Sequence, residues 1–494
     1  MNRFSPTLRF LFGMWLSVLF LSECSAQQPS ILIYQEDLPS LTIEESSGVD
    51  NESNKTDDCK KKGGCKKSAT SGTTEETVHP ILDGFTCSVC DEEKQSAPPE
   101  FGGPWYSRPK LTGNWAGHRN HLAEKGITID VLSTNFYQGV ASGGRREEFA
   151  FGGRMDYYFK MDGQKLGLWE GFFLDIHGTT RYGDDINSAS GLISAPNIAM
   201  LFPSREQDSA VTSFKFTQAL SENVMVYLGK INFLDEYLLN FSSGRGVDRF
   251  MNASLVIPTI LGRTVPYSTY AAGFAVLHEK QPVFNFMVYD PVDRATNLGL
   301  DDLFDQGAGV LAQATLPVKP FGLPGHQSIG ATWSSRSYTE LDAESFLIIP
   351  RLGVVQPSEI SGSWNVFYTF DQYLWVNPCN EKQGLGMFGT LGISDGNPNP
   401  IKWFANLGIG GNVPLRCRGN DTFGIGYFYL GLSDSFKDLA PRLVPQNDEH
   451  GLEMYYNFAV TPWCQITADL QIANPFNQTR DTVIIPGFRG RIDF

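Results

Sequence analysis

The chain has 494 residues, with 54 acidic against 39 basic side chains, and its net charge of −15 argues against nucleic acid as a partner. Hydrophobic content of 41 % with a mean hydropathy of −0.20 excludes a helical membrane protein, while 50 glycines and 13 % aromatics suit turns, crowded barrel walls and interfacial girdles. This length fits several ordinary domains, but an all-β barrel also runs long as one unit.

The N-terminus reads as a signal peptide. Arg3 and Arg9 form a positive n-region, and Phe10 to Leu21 form an apolar stretch of 12 residues, too short to span a bilayer comfortably. Cys24-Ser25-Ala26 offers small residues at the cleavage positions, so cleavage is expected after Ala26 (residues 1–26 removed). Glu23 before Cys24 weakens a lipoprotein reading. No later stretch approaches a membrane helix in length and apolarity.

Residues 27–104 are expected to form a polar, largely disordered periplasmic segment. Within 27–100 there are 15 acidic and 7 basic residues and little apolar periodicity. Seven cysteines survive cleavage, and export places them in an oxidising compartment. In the segment, Cys59 and Cys65 are spaced more widely than zinc ligands usually are, so two local disulfides with Cys87 and Cys90 compete with a half-built metal site.

Residues 105–126 contain one short amphipathic helix, read over 111–126. Asn114 or Thr112 can cap it, Trp115, Arg119 and Leu122 share a face, and Gly126 closes it. His118 and His121 are one turn apart, but with no third ligand nearby they read as surface histidines, and no metal or other cofactor is expected.

From Ile127 onward the period is two. Sixteen segments alternate, roughly 127–137, 149–161, 170–182, 212–220, 223–233, 270–279, 283–290, 307–317, 327–338, 362–376, 385–394, 403–413, 422–433, 451–461, 464–473 and 482–494. Met155, Tyr157, Phe159 and Met161 alternate with Arg154, Asp156, Tyr158 and Lys160; Leu174 and Ile176 alternate with Asp175, His177, Thr179 and Arg181; Ile466, Ala468 and Leu470 alternate with Thr467, Asp469 and Gln471. The last segment places Phe494, Ile492, Gly490 and Phe488 on one side and Asp493, Arg491 and Arg489 on the other. Alone, that strand fits a soluble sandwich edge as well as a barrel wall with one face in lipid and one in a wet lumen.

The connections decide between the two. With both termini on one side, the long connections 138–148, 183–211, 234–269, 291–306, 339–361 and 434–450 all fall outside, and short turns such as 221–222, 280–282 and 462–463 fall inside. Outer-membrane barrels sort their loops this way, and a soluble sandwich has no reason to. The expectation is an all-β transmembrane antiparallel barrel of about sixteen strands over 127–494, in the outer membrane of a Gram-negative-type cell.

Enzyme motifs are weak. Gly384-Leu-Gly386-Met-Phe-Gly389 matches a dinucleotide fingerprint in letters, but it opens a strand and no helix follows. The inward acids Asp130, Asp156, Asp175, Glu453 and Asp469 are scattered over five strands and read as lumen wetting rather than a glycosidase pair.

Leu111-Thr-Gly-Asn-Trp-Ala-Gly-His-Arg-Asn-His-Leu-Ala-Glu-Lys-Gly126-Ile resembles the helix and first strand that open carbohydrate-selective porins of the OprB type. Gly229-Lys-Ile-Asn232, Phe388-Gly-Thr-Leu-Gly-Ile-Ser-Asp395, Phe423-Gly-Ile-Gly-Tyr427 and the final Arg491-Ile-Asp-Phe494 are similar as well. The resemblance covers about 105–494 and implies sixteen strands and passive passage of sugars. It leaves the tail and its cysteines outside.

On this reading the partners are small sugars, outer-membrane lipid and the barrel assembly machinery, and monomer and homo-oligomer both stay open. The candidates for the pore lining are Arg154, Asp156, Tyr158, Asp175, His177, Arg181, Lys215, Arg336 and Glu453. Arg245, Asp248 and Arg249 mark 234–269 as the candidate constriction loop, and Phe494 is the candidate assembly signal. Cys379 and Cys417 fall at the same rim and are the disulfide candidate, with Cys464 as the rival partner of either. A general or anion-selective porin, and a secreted soluble β-protein acting as glycosidase or adhesin, are the alternatives.

Overall fold

The structure is a computed structural model that describes residues 101–494 apart from 204–208, 238, 343–345, 349–354, 379, 416–417 and 439–444; for 346–348, 355–357 and 381–382 it describes the backbone. The expected signal peptide, the tail cysteines Cys59, Cys65, Cys87 and Cys90, and the pair Cys379 and Cys417 lie outside the described residues.

The strands are β1 (Ile127–Gly139), β2 (Phe149–Asp162), β3 (Phe172–Gly183), β4 (Ser209–Ser221), β5 (Val224–Asn232), β6 (Ser268–His278), β7 (Gln281–Tyr289), β8 (Gly309–Val318) and β9 (Gly325–Thr339). They continue as β10 (Phe346–Ile348), β11 (Val355–Pro357), β12 (Glu359–Asn377), β13 (Asn380–Ser394), β14 (Ile401–Asn412), β15 (Thr422–Leu432), β16 (Glu449–Thr461), β17 (Cys464–Asn474) and β18 (Val483–Asp493). Sixteen of them close into one antiparallel barrel in chain order, bearing out the strand count read from the sequence; β10 and β11 pair separately within one long loop. Closure runs from Leu132 opposite Asp493 to Gln138 opposite Gly487, so neither terminal strand keeps a free edge there.

The two faces follow the alternation. Leu228, Leu407, Ile466 and Phe488 stand 61, 54, 48 and 43 % exposed on the outer wall, as lipid-facing side chains do. Thr467, Asp469 and Arg489, on the same strands as Ile466 and Phe488, and Asp156 and His177 on β2 and β3 are buried on the inner face. One rim carries two-residue turns at 222–223, 279–280 and 462–463, and the other carries the long connections 184–208, 233–267, 290–308 and 340–358.

The N-terminal element departs from expectation. The helix is only His118–Glu124, preceded by a tight turn at Trp115–Gly117. Trp115 and Ala116 have φ of 49° and 57° and Gly117 of 98°, left-handed values that cannot continue a right-handed helix. Asn114 still serves the helix from a distance, its Oδ1 accepting from the Asn120 amide at 2.9 Å. The segment fastens the seam beneath the last β1–β18 pair. Arg119 donates to the carbonyls of Ile129 and Phe494 and to Asp130, Lys110 approaches Asp130 at 2.9 Å, and the Leu111 amide donates to the Asp493 carbonyl. Phe494 itself donates its amide to the Val131 carbonyl.

Candidate functional site

The interior is built by two outer loops that fold into the barrel. Residues 233–267, the candidate constriction loop, touch inner-wall groups from β7 to β18. Glu453 on β16 accepts the amides of Met251 and Asn252 at 2.6 and 2.9 Å. Arg489 on β18 donates to the carbonyls of Gly246 and Arg249. Asn406 on β14 donates to the Ser254 carbonyl, Asn365 on β12 to Thr264 Oγ1, and Tyr289 on β7 to the Thr264 carbonyl. Polar wall residues thus satisfy backbone groups of an irregular loop that water does not reach.

Wall glycines make the room. A Cβ at Gly386 would lie 2.1 Å from the Phe241 ring, one at Gly424 would lie 2.6 Å from the Phe250 ring, and one at Gly426 would lie 2.8 Å from Leu255. Gly386 and the glycines of Phe423-Gly-Ile-Gly-Tyr427 are therefore seats for loop side chains, and Phe250 packs edge-on against Phe388 and Tyr455.

The second inward loop, 184–203, is not anticipated from the sequence. Ile198, Ala199 and Met200 are fully buried in it, Glu449 accepts the amides of Ile193 and Ser194, and the Ile198 amide donates to the Met251 carbonyl of the first loop. The signal was present: Ile198 to Phe202 is an apolar run in an outer loop, and such a run needs a core to enter.

Five of the candidates, Arg154, Asp156, Tyr158, His177 and Arg245, meet in one cluster where these loops join β2 and β3. Arg154 and Asp156 form a bidentate pair, with Arg154 also donating to the Ala199 carbonyl and Thr179. His177 lies between two carboxylates, Nε2 at 2.9 Å from Asp156 and Nδ1 at 2.6 Å from Asp235. With both carboxyl groups ionised, each accepts from one ring nitrogen of His177. Tyr158 stacks on His177 at 4.2 Å, and Arg245 of the inward loop lies over the Tyr158 ring at 5.1 Å while pairing with Asp235 at 3.0 Å. Burial pushes the Asp235 carboxyl up, and His177 and Arg245 outweigh it, holding it at about 2.

The other candidates are dispersed. Lys215 pairs with Glu236 at 2.5 Å and sits opposite Asp175 in the β3–β4 register. Arg181 holds Asp185 and the Pro203 carbonyl at the base of the second loop. Asp248 faces Arg491 at 3.8 Å, Arg249 donates to the carbonyls of Leu239 and Ser242, and Arg336 is at the outer end of β9, away from the cluster. Asp235, Glu236, Asp371, Arg489 and Arg491 also belong to the interior, Asp371 accepting from Asn240 at 2.8 Å. Only Arg489 and Arg491 were marked by the alternation of the last strand.

Chemically, this interior offers ion-paired donors and acceptors beside aromatic rings. Such a lining suits a solute with hydroxyl edges and apolar C–H faces.

High-pH OprB of Pseudomonas putida superposes with a TM-score of 0.67 at 18 % identity, covering 78 % of this chain and 98 % of that one. The outer membrane channel DcaP of Acinetobacter baumannii gives a TM-score of 0.45 at 9 % identity over 74 % of this chain and 97 % of that one. OmpT of Vibrio cholerae gives 0.44 at 10 % identity, over 75 % of this chain and 98 % of that one. The comparison with curated sequences returned no match. The family model for the carbohydrate-selective porin, OprB family, matches residues 146–494, and with its alternating wall and closed sixteen-strand barrel this chain belongs to that family.

Proposed function

We propose that the protein carries small carbohydrates across the outer membrane by facilitated diffusion, with loop 233–267 as the constriction. The observation that carries this reading is Arg245 laid over Tyr158 beside the Asp235–His177–Asp156 chain. It joins a forked donor, a ring and acceptors in one place on the inward loop and the wall. Arg presents several donors in a fixed fork, which suits vicinal hydroxyls, and Tyr158 packed between His177 and Arg245 holds that fork in place.

The residues assigned to solute contact are Tyr158, Asp175, Lys215, Arg245, Asp248 and Arg249, which are only partly buried. Arg154, Asp156 and His177 are positioning residues, since their polar atoms are engaged with one another, with Asp235 and with the second loop. Glu453 is likewise a loop anchor. Binding is weak and repeated, because a tight site would block exit.

On this reading the chain is exported by cleavage after Ala26, reaches the barrel assembly machinery with Phe494 as its signal, and sits in lipid through its apolar wall. Monomer and homo-oligomer fit it equally.

Liposome swelling with a panel of sugars, amino acids and salts tests the function. Sugars entering faster than amino acids or salts of equal size support it. Entry ordered by size alone leaves a general porin.

A further inference from the structure

Arg245 and Arg491 each face a carboxylate in the interior. Arg263 and Arg336 do not. Among the described residues neither forms an ion pair, and what they hold is neutral and long. Arg263 Nη2 donates to the Thr339 carbonyl at 3.4 Å and Arg336 Nη1 to the Pro291 carbonyl at 3.3 Å.

Both guanidinium groups face one ring. The Tyr338 centroid is 4.7 Å from the Arg263 carbon and 5.9 Å from that of Arg336. Tyr338 is buried and its hydroxyl donates to Ser334 Oγ at 2.8 Å, so the ring is a fixed platform. Arg263 Nε is buried with no hydrogen-bond partner. The carboxylate within electrostatic reach, Asp395, is turned to backbone, accepting the amides of Trp364 at 3.0 Å and Asn399 at 3.3 Å. Burial pulls the Arg263 pKa down and the Arg336 charge adds to that pull, while Tyr338 and the Asp395 carboxylate offset part of it.

The place is the outer mouth. Arg336 lies three residues before Thr339, where β9 ends at the long-loop rim, and Arg263 closes the turn Thr259–Arg263 near the end of the inward loop. A solute arriving from outside meets these charges before it meets the cluster around Tyr158.

We propose that Arg263, Arg336 and Tyr338 form a capture site for sugars that carry an oxyanion, a carboxylate, sulfate or phosphate on the ring. Two forked donors satisfy such a group bidentately, and a bound oxyanion removes the repulsion between them. The overall charge of −15 repels anions, so a local cationic mouth is what would admit an acidic sugar. This rests on the reading of the chain as a sugar channel and extends its substrate class.

The test uses the full chain in liposomes free of lipopolysaccharide, with glucose and glucuronate as paired probes. Arg263→Gln and Arg336→Gln should each lower glucuronate uptake at low concentration by roughly tenfold or more, the loss of a hydrogen bond to a charged group. Glucose uptake through Arg263→Gln should stay at the wild-type level, and Arg263→Lys, which keeps the charge and loses the fork, should fall between. Heat-modifiable migration of each variant confirms a folded barrel. Equal loss of both sugars, or no loss of either, overturns the proposal. Inorganic phosphate that blocks glucuronate uptake as well as glucuronate itself does would make free phosphate the ligand and overturn the sugar. Loss of glucuronate uptake when lipopolysaccharide is added would assign the site to its phosphates, and overturns the proposal too. Glucose that fails to enter through the wild type would sink the sugar-channel reading itself, a separate failure.

Discussion

Glu453→Ala should release the constriction loop from the wall without opening the barrel. Glu453 is fully buried, and its two oxygens accept the amides of Met251 and Asn252 at 2.6 and 2.9 Å, both residues being buried themselves. Truncation strands two buried donors, each costing about 1–3 kcal/mol, so the loop loses roughly 2–6 kcal/mol of local anchoring. Glu453→Gln keeps one acceptor oxygen and should cost about half as much. The strand ladder is untouched, since β16 pairs through its backbone with β15 and β17. Local opening is therefore favoured over global unfolding. In planar bilayers the Ala variant should conduct more and with more noise. In liposomes it should become sensitive to trypsin at Arg245 or Arg249, which the wild type protects. Wild-type conductance together with wild-type resistance to trypsin would show that the loop is held by its apolar contacts with Phe388 and Tyr455, and the anchoring argument would be wrong.

Deleting Phe494 removes the amide that bonds the Val131 carbonyl and the carbonyl that Arg119 holds; the chain should then fail to assemble, and normal heat-modifiable migration of the truncated protein would count against this. Arginine at Leu470, on the lipid face, should destabilise by roughly 2–4 kcal/mol near the bilayer midplane, measured by urea unfolding in detergent micelles or bilayers. Thr467→Arg should also destabilise, because Thr467 is buried and bonded to Asn457 and Arg489, so the tolerance that the alternation alone suggests for an inner-face position is not expected there. Burial raises the Asp448 carboxyl, but Lys437 at 2.6 Å and the Tyr429 hydroxyl at 2.8 Å overcome it and hold the pKa below its ordinary value. A depressed pKa contributes stability above the unfolded value and loses it as pH falls below about 4. Proteolysis of the outer loop around Asp434–Asp438 should therefore rise below that pH in the wild type and show no such step in Asp448→Asn.

Strand number, the assignment of faces and the sorting of loops were legible in the sequence. All three depend on the two-residue period, and a barrel wall imposes that period locally: Ile466 faces out and Thr467 in whatever surrounds them. The final strand was legible as well, because Asp493, Arg491 and Arg489 alternate with apolar neighbours up to the last residue; its pairing with β1 came from the structure. The N-terminal helix was read too long, since the left-handed turn at Trp115–Gly117 leaves no periodic mark. What occupies the lumen was decided only by the tertiary structure. Arg154 reads as a free donor in one dimension, yet the inward loop 184–203 brings the Ala199 carbonyl to it and Asp156 takes its other edge. Glu453 reads as a pore-lining acid and is an anchor, because residues more than 200 positions earlier in the chain return to its two oxygens. The glycines of Phe423-Gly-Ile-Gly-Tyr427 read as generic wall until Phe250 and Leu255 fill the space above them. Periodicity reports which face of a strand a residue is on, but the partner it meets across the lumen is set by long-range closure, which no local pattern encodes.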